Sequence, residues 1–270
     1  METPIKENEL PIKELERLGL YQNGKPKMAS DNLDALLAGR RTDMLSMENL
    51  QLDGFTIRQL DAKLSLTRNE KGKVELNLHP IYKQAISHPL LSEEESRNLQ
   101  SGKLQSVQKA YEQADKKLAL LAIEYDQQTK EFIVYRPDHV EVPLKVNGET
   151  LSEKQKKSFR NGELVELGDG TRFQHSATDS KGVRSDTKHL ILSVLLDGGI
   201  SYLLFKGVRN LVGNSEKQKE EFTKGYDKAM KEVMDQTKKD RETGNVSLPR
   251  NEEHSHKPQQ DRGYGRNASR

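Results

Sequence analysis

The sequence predicts an α+β fold built from small β-rich modules, each opened by a short helix. Three observations carry that prediction. The stretches "LSEEESRNLQSGKLQSV" (91–107) and "LSEKQKKSFRNGELVEL" (151–167) share one pattern: Leu-Ser-Glu, a polar helical run, a glycine, then alternating residues. Each is followed by two apolar runs around a polar turn, which is a hairpin signal. A looser form of the same order stands earlier, "NLDALLAGRRTDML" and then "RQLDAKLSLTRNEKGKVELNLHP" (58–80). Recurrence of this kind points to repeated units, and a unit this small buries little apolar surface unless it packs on its neighbours.

The elements follow in chain order. In "LPIKELERLGL" (10–20), Ile12, Leu15 and Leu18 recur at helical spacing. After the loop "YQNGKPK", Ser30 and Asp31 are the candidate caps of a second helix that ends at Gly39. Two strands flank "NEKG" within 58–80. Ser92 with Glu95, and Ser152 with Gln155, have the spacing of a capping box. Gly102 and Gly162 stand where a helix C-cap prefers glycine. Hairpins follow at 117–137, turning near Asp126–Lys130, and at 171–195, turning through Gly182.

The most apolar stretch is "HLILSVLLDGGISYLLFKGVRNLV" (189–212). It reads as a buried strand over 190–195, a turn at Asp197-Gly198-Gly199, and an apolar helix or strand to Val212. Residues 215–240 read as a charged helix with the stripe Phe222, Tyr226, Ala229, Met230, Val233 and Met234. Gly225 is expected to weaken it by roughly 1 kcal/mol relative to alanine. Residues 244–270 have almost no apolar content and are expected to be disordered. The resulting organisation is an N-terminal α+β module (10–89), two helix-plus-hairpin repeats (90–149 and 150–212), an amphipathic helix (213–243) and a tail (244–270).

Composition narrows the chemistry. Of 270 residues, 33% are hydrophobic and 32% charged, so part of the chain is expected to lie outside any packed core. There is no cysteine, which excludes disulfides, thiol catalysis and thiolate metal sites and fits a reducing compartment. "METPIKENEL" lacks the basic and apolar regions of a secretory signal. The 189–205 stretch is interrupted by Asp197 and two glycines and is too short to span a bilayer. A cytoplasmic protein without a membrane segment is expected. Net charge is +2 with both signs interspersed, unlike the basic domain of a dedicated duplex binder.

No catalytic constellation emerges. "GDGT" (168–171) and "DGG" (197–199) belong to no nucleotide fingerprint and read first as turns. His79 and His88 precede prolines, and His139, His175 and His189 lack partners at ligand spacing. His254 and His256 lie in the tail. No catalytic residue, metal site or cofactor is assigned. Lys25, Lys27, Arg40 and Arg41 flank the first two helices, and Lys154, Lys156 and Lys157 line the helix of the second repeat. These seven are the candidate nucleic-acid contacts, against the simpler reading of solvated loop, cap and helix-face charges. Phe222, Tyr226, Met230 and Val233 form the candidate partner helix: they must be buried on the chain's own body or on another copy, so 215–240 is also the candidate oligomer seam.

The motif "LSEKQKKSFRNGELVEL" with "DGTRFQHSATDSKG" resembles the repeated uncharacterised domain of proteins from Bacteroidetes conjugative transposons. In those proteins a Leu-Ser/Thr-x-x-Gln-x-x-x-Leu/Phe-x-x-Gly helix precedes a β-hairpin. The front part, "LPIKELERLGLYQNG…LDALLAGRRTDML…DAKLSL", is similar to the uncharacterised N-terminal domain that accompanies them. The resemblance spans about residues 10–212. It departs in the first repeat, where Glu95 stands for the usual glutamine, and it does not extend to the last helix and tail. It implies an accessory protein of a mobile element, and no catalytic residues. The expected function is non-enzymatic binding or scaffolding of nucleic acid or a DNA-processing protein. The second reading is a host-interaction factor that inhibits a defence enzyme by protein–protein contact.

Overall fold

The computed structural model describes residues 5–52, 54–112, 118–196, 199–211, 217–219 and 221–242. The expected tail (244–270) lies outside them. The fold is mixed α+β, with strands gathered into several small sheets.

In the first unit, α1 (Ile12–Arg17) leads into the hairpin β1 (Tyr21–Gln22) and β2 (Lys25–Pro26). Asn23 and Gly24 both take positive φ, as a two-residue hairpin turn requires. Next come α2 (Ser30–Leu37), β3 (Leu45–Leu52), β4 (Phe55–Arg68) and β5 (Val74–Pro80), the strands forming an antiparallel meander. The N-cap of α2 is Ala29, without a side-chain cap, so Ser30 and Asp31 lie one turn position inside their expected place. Leu15, Leu20, Leu36, Met47, Leu64, Leu66 and Val74 build the core between helices and sheet. The alternation in "DAKLSL" puts Ala62, Leu64 and Leu66 on that core. Lys63 and Ser65 therefore point to the opposite face, yet both are buried. Something covers the outer face of β4.

The second unit supplies that cover together with the third. It comprises α3 (Glu93–Gln100) and the meander β6 (Ser106–Glu112), β7 (Leu118–Asp126) and β8 (Glu131–Tyr135). The capping box forms: the Glu95 amide donates to Ser92 Oγ at 3.2 Å, and the Ser92 amide donates to Glu95 Oε2 at 2.8 Å. Lys109 on β6 donates to Glu95 at 2.7 Å, fastening helix to sheet.

The third unit begins with β9 (Lys145–Val146) and β10 (Glu149–Thr150), then α4 (Glu153–Arg160) with its own capping box from Ser152 and Gln155. The meander β11 (Val165–Glu166), β12 (Arg172–His175) and β13 (Val183–Ser185) follows. After β14 (His189–Leu196) and β15 (Gly199–Lys206), β16 (Arg209–Asn210) returns to pair parallel with β13. Two four-stranded sheets result, β10-β9-β14-β15 and β11-β12-β13-β16. Val146, Phe159, Phe173, Val183, Leu190 and Leu192 fill the space between them.

In all three units the order is helix, glycine, three antiparallel strands. The glycines, Gly39, Gly102 and Gly162, all have positive φ. The third unit carries more: the strands at 145–150 and at 189–210 have no counterpart in the second.

Helix α5 (Lys224–Glu242) starts later than the expected 215, and residues 217–219 instead run beside Thr187. It covers the outer face of the β14–β15 hairpin, packing Tyr226, Ala229 and Val233 on Ile191, with Tyr202 and Leu204 alongside. Gly225 lies in its first turn, against the "GDGT" loop. A Cβ there would run into Asp169 Oδ2 and lie 3.1 Å from Asn147 O. No helix of the described residues is long and apolar enough to cross a membrane.

Candidate functional site

Polar chemistry concentrates where the three units meet, and the loop between β12 and β13 is its centre. Asp179 and Gly182 close this loop through backbone bonds, Asp179 N to Ser176 O and Gly182 N to Asp179 O. On one side it reaches the second unit. The Ser176 hydroxyl and the Thr178 amide donate to Glu124 Oε2 at 3.1 and 3.3 Å. Burial pushes the Glu124 carboxyl pKa up, opposed by the Ala177 amide, Arg184 and the Ser176 hydroxyl. On the other side it reaches the first unit: Arg40 Nε donates to Ser180 O at 2.9 Å, and Lys181 pairs with Asp31. Gly182 is needed for this approach, since a Cβ there would lie 3.0 Å from Arg40 Cδ at a φ of +69°.

Lys63 sits at the middle. Its Nζ donates to Asp126 Oδ2 at 2.7 Å and to Thr178 O at 3.1 Å. Burial pushes its pKa down, and Asp126 opposes that shift. Arg41 lies alongside, donating to Glu131 Oε2 at 2.7 Å and Thr129 Oγ1 at 3.2 Å, with Asp126 3.7 Å away. His79 bridges Ser65 Oγ at 2.8 Å and Glu131 at 3.5 Å. Burial raises the Glu131 pKa, but His79 and Arg41 outweigh it and hold the carboxyl below its ordinary value. Tyr135 and Phe159 press edge-on against His175, whose pKa burial lowers to about 4, so the ring is neutral.

At the rim is a cleft of about 340 Å³ lined by Asp31, Asp43, Asp179, Ser180, Lys181, Lys206, Gly207 and Arg209. Arg209 closes on Asp43 at 2.8 Å and Asp179 at 3.5 Å. Lys181 faces Asp31 and Arg209 faces the other two aspartates, while Lys206 is exposed. Most of the junction's carboxylates face cations or hydrogen-bond donors, and within it Ser65, His79 and Glu131 form a hydroxyl–imidazole–carboxylate chain. Among the described residues no three His, Asp or Glu side chains come together as a metal site.

The seven basic candidates separate. Arg40 and Arg41 are engaged in the junction through Arg40 Nε and Arg41 Nη1, and the Arg41 side chain is only 11% exposed, which leaves little of it for external phosphates. Lys25, Lys27, Lys154 and Lys157 are exposed, and Lys156 pairs with Glu153 at 2.7 Å. The two lysine groups stand on different units. Of the helix stripe, Tyr226 and Val233 are buried on the chain's own sheet, Met230 is half-buried beside them, and Phe222 precedes the helix and is exposed. The "GDGT" loop also has a structural task. Asp169 accepts from the Thr171 amide at 2.9 Å and stands against the start of α5, where Thr223 caps Tyr226 N at 3.2 Å.

Sequence reasoning did not single out Lys63, Glu124 or Thr178, and read Asp126 only as the start of a turn. The available signal was Lys63 itself, the one charge in the otherwise apolar and hydroxyl-bearing run 62–67. Residues 5–89 match a family model described as a protein of unknown function (DUF4099), so the first unit is similar to that family. No curated protein and no solved structure matches the chain.

Proposed function

We propose that the chain is a non-enzymatic accessory protein of a mobile element, acting in the cytoplasm, that binds or scaffolds nucleic acid or a DNA-processing protein. The transposon context rests on the resemblance of its sequence motifs. The shared order of helix, glycine and meander supports a common origin of the units. The observation that carries the binding reading is the placement of Phe55, Leu118 and Ile200. Each is more than half exposed, at the beginning of the second strand of a long hairpin: β3–β4, β6–β7 and β14–β15. Ile86 and Met234 are as exposed, but these three recur at one position in the hairpins, and exposed apolar surface is what a partner covers.

A pull-down from the native host, with and without nuclease, tests this. Partners lost on nuclease treatment support nucleic acid; partners retained support a DNA-processing protein. Replacing Phe55, Leu118 and Ile200 together with serine is expected to lose the partner without lowering the melt. A full set of partners after that change would overturn the reading. The alternative, inhibition of a host defence enzyme by protein–protein contact, is favoured by the same apolar hairpin ends. It predicts a nuclease-resistant partner with measurable enzymatic activity that falls on binding.

A further inference from the structure

Where β14, β15 and the start of α5 meet, three aromatic rings touch. Phe222 stacks on Tyr226 with centroids 4.8 Å apart and planes 15° apart. The His189 ring lies 4.7 Å from that of Phe222 and 6.0 Å from that of Tyr226. Tyr226 is 4% exposed, whereas Phe222 is 55% exposed. Phe222 is therefore held by rings on its inner side and open on its outer side. Burial, with Lys206 and Lys188 adding, lowers the His189 pKa, so that ring is neutral at pH 7 and adds no charge to the cluster.

Lysines stand at neighbouring positions. Lys206 is the cross-strand partner of His189 and is exposed; Lys188 precedes His189; Lys224, also exposed, follows Phe222 by two positions. Glu221 and Asp227, both exposed, stand in the same segment and offset part of this charge. Lys219 does not contribute, since its ammonium lies 3.1 Å from both Asp186 and Gly170 O. Nor does the helix terminus, which Thr223 and Asp169 already occupy.

We propose that Phe222, backed by Tyr226 and His189 and flanked by Lys206 and Lys224, is a stacking platform for a base of single-stranded nucleic acid. The inference rests on the nucleic-acid arm of the function proposed above and names its site. An exposed ring flanked by ammonium groups matches an unpaired base with its phosphates on either side. Duplex bases have no free face to offer. The lysines favour a polyanion over an apolar peptide. Because Glu221 and Asp227 cancel much of the charge, stacking contributes more than counterion release, and the salt dependence is shallow.

The chain contains no tryptophan, so Phe222→Trp installs a single fluorophore that can still stack. A short oligothymidylate is expected to quench its emission, and an abasic strand of the same length and a duplex are not. By anisotropy, Phe222→Ser and Phe222→Leu should both bind the oligothymidylate about 5- to 150-fold more weakly, the range for one lost base stack, with an unchanged melt. Lys206→Gln should weaken binding less and lower the salt slope by about 0.7. Equal affinity for the abasic strand, or undiminished binding by both Phe222 variants, overturns the platform while leaving nucleic-acid binding elsewhere on the chain intact. Absence of any oligonucleotide binding overturns it too and leaves only the protein arm of the pull-down. Loss of a nuclease-resistant protein from the Phe222→Ser chain, with oligonucleotide binding unchanged, overturns it in favour of a protein-binding surface.

Discussion

Lys63 Nζ lies 2.7 Å from Asp126 Oδ2, joining the middle of β4 to the end of β7, and the two side chains are 0% and 3% exposed. The same ammonium donates to Thr178 O, so one group ties together a residue from each unit. Removing one partner of such a pair strands a buried charge. Asp126→Ala is expected to cost about 3–5 kcal/mol. Lys63→Met combined with Asp126→Leu should cost less, because no charge is left behind. Urea denaturation of the three chains checks this; a single variant within about 1 kcal/mol of the parent would remove the pair from its place as the tie between units.

Gly225→Ala should destabilise, against helix propensity, which on its own favours alanine by about 1 kcal/mol. The added methyl would collide with Asp169 and crowd Asn147 O, both of which the start of α5 needs in place. Adding Asp169→Ala should recover part of the loss. A thermal melt that rises with Gly225→Ala alone would show that α5 does not dock as closely as described.

His175 supplies a pH dependence with a definite sign. Its folded pKa of about 4 lies below the ordinary 6.5, so the unfolded chain binds the extra proton first. The contribution is complete above pH 6.5 and is lost as pH falls towards 4, at no more than about 1.4 kcal/mol per pH unit for one proton. In His175→Phe this slope should disappear from a series of denaturation curves between those values. An unchanged slope would mean that another group titrates.

Tyr226→Ser with Val233→Ser should lower the melt strongly without changing the mass by light scattering, since both side chains are buried within the chain. Truncating buried large side chains costs about 2–5 kcal/mol each. Phe222→Ser should leave the melt where it was. A change of mass with an intact melt would instead assign the helix to a seam between copies.

The Arg68 guanidinium and the Lys6 amide hold Glu9 at a pKa of about 2, below the ordinary 4.5. A depressed carboxylate contributes stability that is full above pH 4.5 and fades as pH falls to 2. Arg68→Gln should therefore narrow its deficit relative to the parent as the pH is taken down through that window. A constant difference between the two chains would sink the assignment.

Local physics made much of this molecule legible in its sequence. Capping boxes at Ser92 and Ser152, glycines at the helix ends and alternation along 58–80 and 117–137 are near-neighbour effects, and the corresponding helices and strands form there. Short strands were harder. β9 and β10 flank an Asn147-Gly148 turn but hold only four residues, and β9 finds its second partner in β14, far along the chain. What tertiary structure alone decided is the fate of side chains whose local pattern points to water. The alternation that sends Leu64 inward sends Lys63 outward, and only the arrival of Asp126 and Thr178 from distant segments makes that outward face an interior. Likewise Gly225 reads as a weak point in a helix until Asp169 is seen beside it. Arg40 and Arg41 read as free cations until Ser180 O and Glu131 are seen to accept their hydrogen bonds. Local sequence dictates backbone conformation because the forces involved act over one or two turns; partners for charges are chosen by long-range packing, which those patterns do not encode.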